Sequence, residues 1–497
     1  MIKKLFSARP TLLIGAVPIL LILGLFCFMA IRTIVITPER GETSPIDISD
    51  KNALADTIAK NLGAAIRIKT ISWNTEAPTE VEAFDAFVAF LEETYPNAHR
   101  VLVTERINQS VLYKWTGISS EEKPIGFIAH MDVVPIEKGT EGTWSAPPFS
   151  GEIKDGAVWG RGALDDKGPL IAIMEAAERL SLSGFEPRRD IYFLFGHDEE
   201  LGGSKGASAI SEELDRRGVQ FAWTLDEGSV LINGAIPGVD VPIALISTAE
   251  KGSTTLRLVA STEGGHSSAP SADTAVSLVA KAVIAVNDDP FPLKIDDNTT
   301  AFLHAIAPEV GFLQRVALTN LWLTGPIVKS SLGKDATIAA TLRTTTAPTI
   351  IEGGEKVNIL PQRASAIVNY RLHPRNSVEG VKARAERQIN DPKITVELAG
   401  GVKPSPNSAR DAEGFIKVSE SVAAIFGNVP IAPSLTIGGT DTRHFTAISD
   451  NNYRFMPFTF ETTDIKRLHG TNERVPVDDL VRATLWYEDL IQRAASQ

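Results

Sequence analysis

Two adjacent carboxylates, Glu199 and Glu200, follow the apolar run Ile191–Phe195 and precede Gly202-Gly203. Like charges this close do not both ionise unless a cation stands beside them. A metal ion supplies that charge, and with it a chemistry: activation of water. On this reading Glu200 binds metal and Glu199 moves protons. The pair needs further ligands, and the chain offers several. His130-Met131-Asp132 ends a second apolar run. Alone, His130 reads as a packed or surface histidine. Asp132 two residues on changes that, because a metal-bound imidazole usually donates its other N–H to a carboxylate. Asp165 and Asp166 open a helix, where one aspartate suffices as a cap; the other is free to bridge two metals. Asp226 ends a third run, and His469 lies near the C-terminus. His197 and Asp198 are read as loop residues.

The elements that must position these groups follow from hydrophobic patterning. Ile125–Ala129, Asp190–Phe195 and Phe221–Leu225 are short apolar runs without alternation, as in strands buried on both faces of a parallel sheet. Their polar ends then fall where open α/β sheets bind ligands. Any one of them has a bland explanation as a solvated strand end; three such ends plus Asp165 at a helix start share none easily. Gly160, Gly162 and Gly168 mark a tight loop, and Leu170, Ile173, Met174, Ala177 and Leu180 follow helical spacing. That loop has neither the Walker nor the Rossmann spacing. Helical spacing also marks Lys51–Leu62 and Val81–Tyr95, which are read as core helices. From Lys251 the texture changes. Ser253–Ser261 alternates, a helix follows over Asp273–Val286, and strands (Val357–Leu360, Ala364–Leu372, Ile394–Leu398) enclose a helix at Val378–Ile389. This pattern predicts a small α+β domain inserted into a larger α/β one. Residues 287–350 hold Pro-punctuated segments of moderate helical character without a clear place in either domain. Gly414–Phe426 and Asp478–Ala495 return to helix. Between them Gly438–His444 offers backbone N–H groups and the guanidinium of Arg443 to an anion.

At 497 residues the chain is long enough for more than one domain, and 43% hydrophobic with 22% charged residues is ordinary for a globular protein. A net charge of −12 argues against a nucleic-acid partner. Cys27 is the only cysteine, which excludes an internal disulfide and a cysteine-based metal site. Leu12–Ile31 carries no charge and, at ~1.5 Å per residue, spans roughly 30 Å, a bilayer core. Lys3, Lys4 and Arg9 precede it. The expectation is a single transmembrane helix over 12–31, with a cytoplasmic leader (1–11), a linker (32–50) and the body on the non-cytoplasmic side. A cleaved signal peptide fits less well, since Phe28 would stand three residues before a cut after Ala30.

In order, His130-Met131-Asp132, Gly160-Arg161-Gly162-Ala163-Leu164-Asp165-Asp166-Lys167-Gly168, Glu199-Glu200, Asp226-Glu227-Gly228, Gly264-Gly265-His266-Ser267-Ser268-Ala269-Pro270 and His469-Gly470 resemble the M20 metallopeptidases. The stretches Leu225–Gly228 and Gly439–His444 resemble the carboxypeptidase S and PM20D1-type branch. The resemblance covers about residues 50 to 497. It implies a mixed-sheet zinc-peptidase domain with helices on both faces (51–250 and 401–497), and a ferredoxin-like lid and dimerisation domain (251–400). It implies two Zn²⁺ ions, with His130 and Asp226 on one, Glu200 and His469 on the other, and Asp165 bridging; Co²⁺ or Mn²⁺ suits the same ligands. It implies a cis-like peptide between Asp165 and Asp166. Asp132 would orient His130, Glu199 would act as general base and acid, and His266 would steady the oxyanion, often across a homodimer interface. Arg371, Asn358, Gly439, Thr440 and Arg443 would hold the substrate's carboxylate. The expected activity is cleavage of an amide beside a free carboxylate, as a carboxypeptidase on short peptides. The alternative is a hydrolase or synthase of N-fatty-acyl amino acids. A non-catalytic binding protein on the same scaffold should have lost Glu199 or a ligand, and all are present.

Overall fold

The computed structural model describes residues 10–37, 44–74, 79–119, 121–236 and 238–496; the side chains of residues 10–19 lie outside that description, as do most of the leader and positions 38–43 of the expected linker. A ten-stranded mixed sheet organises the larger domain. Its order is Leu102–Ile107, Ser110–Trp115, Ile191–Gly196, Ile125–His130, Trp223–Asp226, Asn452–Arg454, Ile243–Glu250, Leu231–Asn233 and Thr459–Glu461, with Ile431–Thr436 also paired to Ile243–Glu250. The three apolar runs are neighbours. Ile191, Ile125 and Trp223 stand level in parallel register, so all three strands end on one edge of the sheet.

Alternation explains how apolar runs fill both sides. Phe193 and Phe195 enter the larger core, whereas Tyr192 and Leu194 enter a smaller one with Ile210 and Leu214 of the helix Ala207–Arg216. Phe127 lies at the centre of the larger core. It stacks on Phe193 at 5.7 Å and meets Trp223 and Tyr487 edge-on at 6.0 and 6.2 Å. The helices Lys167–Leu182 and Val477–Ala495 cover this side, burying most of their surface.

The smaller domain is an antiparallel sheet ordered Thr345–Gly353, Arg363–Leu372, Gly252–Ser261 and Ile394–Val402. Its own core comes from one sheet face and the helices Ala275–Asp288 and Val378–Ile389. The unassigned segment holds four further helices: Asp297–Ile306, Phe312–Thr319, Leu321–Leu332 and Ala336–Leu342. The first three pack on the larger domain, while Ala336–Leu342 meets the lid hinge through Lys251 and Arg375, which donate to the Ala340 and Leu342 carbonyls. Leu303, Ile306, Val310 and Val328 pack into the core of the larger domain. The helix Leu321–Leu332 has the weakest helical period of the first three, because several of its outward residues are apolar too.

The N-terminal helix runs Pro10–Ile36. Among the described residues no helix is long and apolar enough to cross a membrane. The transmembrane helix expected over 12–31 is therefore not supported by the described residues, and its positions 12–19 lie outside the described side chains.

Truncating Phe127 to Ala should cost about 3–5 kcal/mol, the range for a large buried aromatic. Denaturant melts should show a clearly lowered midpoint for Phe127→Ala and none for Val357→Ala, at a lid position 97% exposed.

Candidate metal centre

The strand edge gathers the expected groups. His130 ends its strand and is 1% exposed. Its Nε2 stands 3.0 Å from Asp165 Oδ1, and its Nδ1 lies 3.3 Å from Asp132 Oδ1 and 3.0 Å from the Asp132 carbonyl. Asp132 does more than orient this ring. Its two carboxylate oxygens accept the backbone N–H groups of Glu199 and Glu200 at 3.1 and 3.2 Å, and the Ser72 hydroxyl at 2.7 Å. One buried carboxylate thus fixes both the imidazole and the acidic turn. On the far side of Asp165, His469 Nε2 lies 3.1 Å from Oδ2 and 3.2 Å from Glu200 Oε2.

Among the described residues two groups could each hold a metal ion: His130, Asp165 and Glu227, and Asp165, Glu200 and His469, with ligand atoms within 4.8 Å of one another. Asp165 is shared, and the peptide joining it to Asp166 is cis. One position differs from expectation. Glu227, not Asp226, faces His130, at 3.8 Å. Asp226 is already engaged: Oδ2 accepts the Thr442 N–H and hydroxyl at 2.7 and 2.5 Å, and Oδ1 accepts the Glu227 N–H at 2.9 Å. The adjacency Asp226-Glu227 raises the same like-charge problem as Glu199-Glu200, but nothing in the sequence says which member turns inward.

The electrostatics ask for cations. Burial, then neighbouring carboxylates including Glu200, push the Glu199 carboxyl up to about 8 despite the His130 ring. Glu227 rises through burial and the charge of Asp165. Burial opposes ionisation of Asp165, yet hydrogen bonds from His130 and His469 hold it below the usual range. Asp165 and Glu200 in turn push His469 up to about 10. Glu200 Oε1 is buried with no hydrogen-bond partner. A divalent pair fits this donor set, because imidazole and carboxylate are the expected ligands and the orphaned oxygen then gains a partner.

Other expected residues are placed differently. Thr440 is buried and donates its N–H and hydroxyl to Glu250 at 2.9 and 3.2 Å, pinning its loop. Arg443 Nη2 lies 3.4 Å from Glu199 Oε1. Gly439 leaves room for that guanidinium, since a Cβ there would come within 2.8 Å of Nη1. His266, Asn358 and Arg371 stand exposed on the lid. His266 Nδ1 pairs with Ser268 Oγ at 2.7 Å, and the Asn358 carbonyl accepts the Ser267 N–H.

Glu473 has a role its sequence position did not suggest. Fully buried, it pairs with Arg161 at 2.6 Å and accepts the N–H groups of Gly162, Leu164 and Asp165. Arg161 donates back to the carbonyls of His469 and Gly470. This clamp ties the loop carrying Asp165 to the loop carrying His469. Its signal was present in Gly160-Arg161-Gly162 and Asn472-Glu473-Arg474, but pairing across 312 positions is not visible in sequence.

A mixed α/β sheet whose strand edge assembles two carboxylate–imidazole groups around one shared aspartate defines a metal-dependent hydrolase. The chain belongs to the peptidase family M20/M25/M40, whose profile matches residues 126–493. It is 35% identical over 485 residues to a probable carboxypeptidase S-like 2 of Dictyostelium discoideum, covering 95% of this chain and 92% of that one. It is 34% identical over 466 residues to the N-fatty-acyl-amino acid synthase/hydrolase PM20D1 of Xenopus tropicalis, covering 92% and 89%. Among solved structures, the M20 metallo-carboxypeptidase Sso-CP2 of Sulfolobus solfataricus shares the fold, with a TM-score of 0.63 at 20% identity, covering 88% of this chain and 99% of that one.

Metal analysis of variants tests the assignment at 226 and 227. Glu227→Gln should lower affinity at one site by at least ~10-fold, the effect already seen for outer-shell partners. Asp226→Asn should keep its metal while losing about 1.5–3 kcal/mol of stability through the weakened charged hydrogen bonds to Thr442. The opposite pattern would return the ligand role to Asp226.

Proposed function

We propose that this enzyme hydrolyses the amide of N-fatty-acyl amino acids, using two Zn²⁺ ions, from a membrane-anchored body. The observation that carries the choice of substrate is a cavity. A space of about 450 Å³ opens at Asp165 and Glu227 and continues between Val230, Ile236, Phe302, Ile338, Met456 and Phe460. That volume is in the range that encloses drug-sized ligands (~300–1,000 Å³), and its apolar lining suits an aliphatic chain. Cleavage beside a free carboxylate is supported by the lid hinge, where Lys251, Arg343, Arg371 and Arg375 gather. Burial, then the charges of Arg371, Arg375 and Arg343, push Lys251 down to about 7. Asp296 and His373, which line the cavity, adjoin Arg375.

Bound metal supplies Lewis acidity and a water whose pKa falls toward ~7. The chain's own groups handle the protons and charge. Glu199 accepts a proton from the attacking water as its oxygen bonds to the acyl carbon. It returns that proton to the nitrogen as the C–N bond breaks, releasing fatty acid and amino acid. Arg443 holds Glu199 in place before substrate arrives. His266 is the donor for the oxyanion, supplied from the lid of a second copy; its exposure and its lid position support that reading. Anchoring is supported by the uncharged run 12–31 and by the basic residues before it.

The second reading, a carboxypeptidase on short peptides, is favoured by the name of the Dictyostelium relative. A homologous series of N-acyl amino acids separates the two. If the cavity holds the chain, kcat/KM should rise with length by up to about 0.8 kcal/mol per buried methylene, or roughly four-fold. A flat series, with faster cleavage of blocked dipeptides, would assign the peptidase activity instead. Glu199→Gln should keep its metals while turnover falls by ~10²–10⁴. Chelation should abolish activity and added Zn²⁺ restore it; full turnover in Glu199→Gln would remove the base role.

A further inference from the structure

The helical hairpin formed by Phe312–Thr319 and Leu321–Leu332 has an inverted surface. Only Val328 of its second helix is buried. Outward-facing residues are Leu313 (71% exposed), Trp322 (58%) and Ile327 (75%), with Phe312 and Leu323 also exposed. Arg315 and Lys329 are the charged residues of 312–332. Arg315 is turned inward onto the carbonyls of Ala307 and Pro308. A water-facing helix normally carries its charges on the outside, and a contiguous apolar face of this kind marks an interaction surface.

The neighbour of this face indicates its occupant. The hairpin docks on the N-terminal helix at Met29–Thr33, where the uncharged run ends. Thr33 Oγ1 meets Thr319 Oγ1 at 2.8 Å, Asn320 Nδ2 donates to the Met29 carbonyl at 3.3 Å, and Arg32 donates to the Thr319 carbonyl. Thr33, Thr319 and Asn320 are all buried, so the contact is specific. Phe28 meets Trp322 edge-on with ring centroids 6.5 Å apart. The exposed apolar surface of the first helix, from Leu20 to Val35, is therefore continuous with that of the hairpin. A tryptophan beside the end of a spanning run occupies the usual aromatic level of a bilayer. The helices flanking the hairpin, Asp297–Ile306 and Ala336–Leu342, bring Phe302 and Ile338 to the apolar cavity.

We infer that residues 312–332 form a second membrane contact, lying in the lipid interface and seating the cavity against the bilayer. The apolar face replaces water with acyl chains, the short polar hinge at Thr319-Asn320 is satisfied by the first helix, and a lipidic substrate reaches the cavity from the membrane side. This rests on the anchored reading of the N-terminal helix, and the experiment lets the two fail separately. The full chain, in phosphatidylcholine–phosphatidylglycerol nanodiscs containing nitroxide lipid, carries a bimane fluorophore at native Cys27. Separate proteins carry it at Ile327→Cys, Leu313→Cys or the lid control Val357→Cys, each in a Cys27→Ser background; retained activity reports folding. The expected result is several-fold stronger lipid quenching at positions 27, 313 and 327 than at 357. Quenching at 27 with none above control at 313 and 327 overturns the inference while leaving the anchor. Quenching at 313 and 327 without 27 supports the inference and removes the anchor. No quenching at any of them removes both. Unquenched labels at 313 and 327 in a concentration-dependent dimer would assign the face to a second copy and also overturn it.

Discussion

Crowding of carboxylates in a dry place is the constraint on which this structure depends. Asp165, Glu199, Glu200 and Glu227 converge where three parallel strands end, with Asp132, Asp166 and Asp226 close behind. Burial alone would drive several of them to the protonated acid. The two imidazoles give partial relief, and the rise of His469 shows how strongly the cluster attracts positive charge. Bound cations relieve it fully, and the price of leaving them out is a destabilised sheet edge. Metal binding and folding are therefore coupled here.

Such a cluster holds its shape only if its backbone is fixed by groups that are not themselves ligands. Two devices do this. Asp132 binds the N–H groups of the Glu199-Glu200 turn and faces the His130 ring, so one carboxylate sets two ligand directions. The Arg161–Glu473 clamp joins loops 312 positions apart and ties the loop of Asp165 to that of His469. A buried pair of this kind adds little net stability, because both charges are desolvated. Its contribution is geometric, and breaking either half would leave a buried charge beside the metal ligands.

What was legible in the sequence follows from range. The strands at 125, 191 and 223 were readable because burial on both faces leaves an unbroken apolar run, and their polar ends then located the site. The lid was readable through alternation at Ser253–Ser261. The choice between Asp226 and Glu227 was not, because it turns on the Thr442 hydroxyl, more than two hundred positions away. Arg443 was read as free to meet an anion, but its partner Glu199 is equally remote. Helical character over 297–342 is legible, but where the helix Leu321–Leu332 packs is not, for a different reason. Amphipathic period reports contrast between a wet and a dry face, and several outward residues of that helix are also apolar.

The same outward apolar surface shows how the molecule divides its chemistry. Charge is concentrated at the strand edge and the lid hinge, where Glu199, Asp165, Lys251 and Arg375 lie; apolar surface is concentrated between them and the N-terminal helix, along Phe302, Ile338, Trp322 and Ile327. The substrate proposed above, an ionic head with an aliphatic tail, would match that gradient in one orientation. On the proposed reading the head would meet the lid hinge and the tail would fill the apolar cavity that opens at Asp165 and Glu227. A dipeptide would meet the polar half and leave the apolar half unfilled. Burying such a tail would add binding free energy that a peptide of equal polarity does not provide.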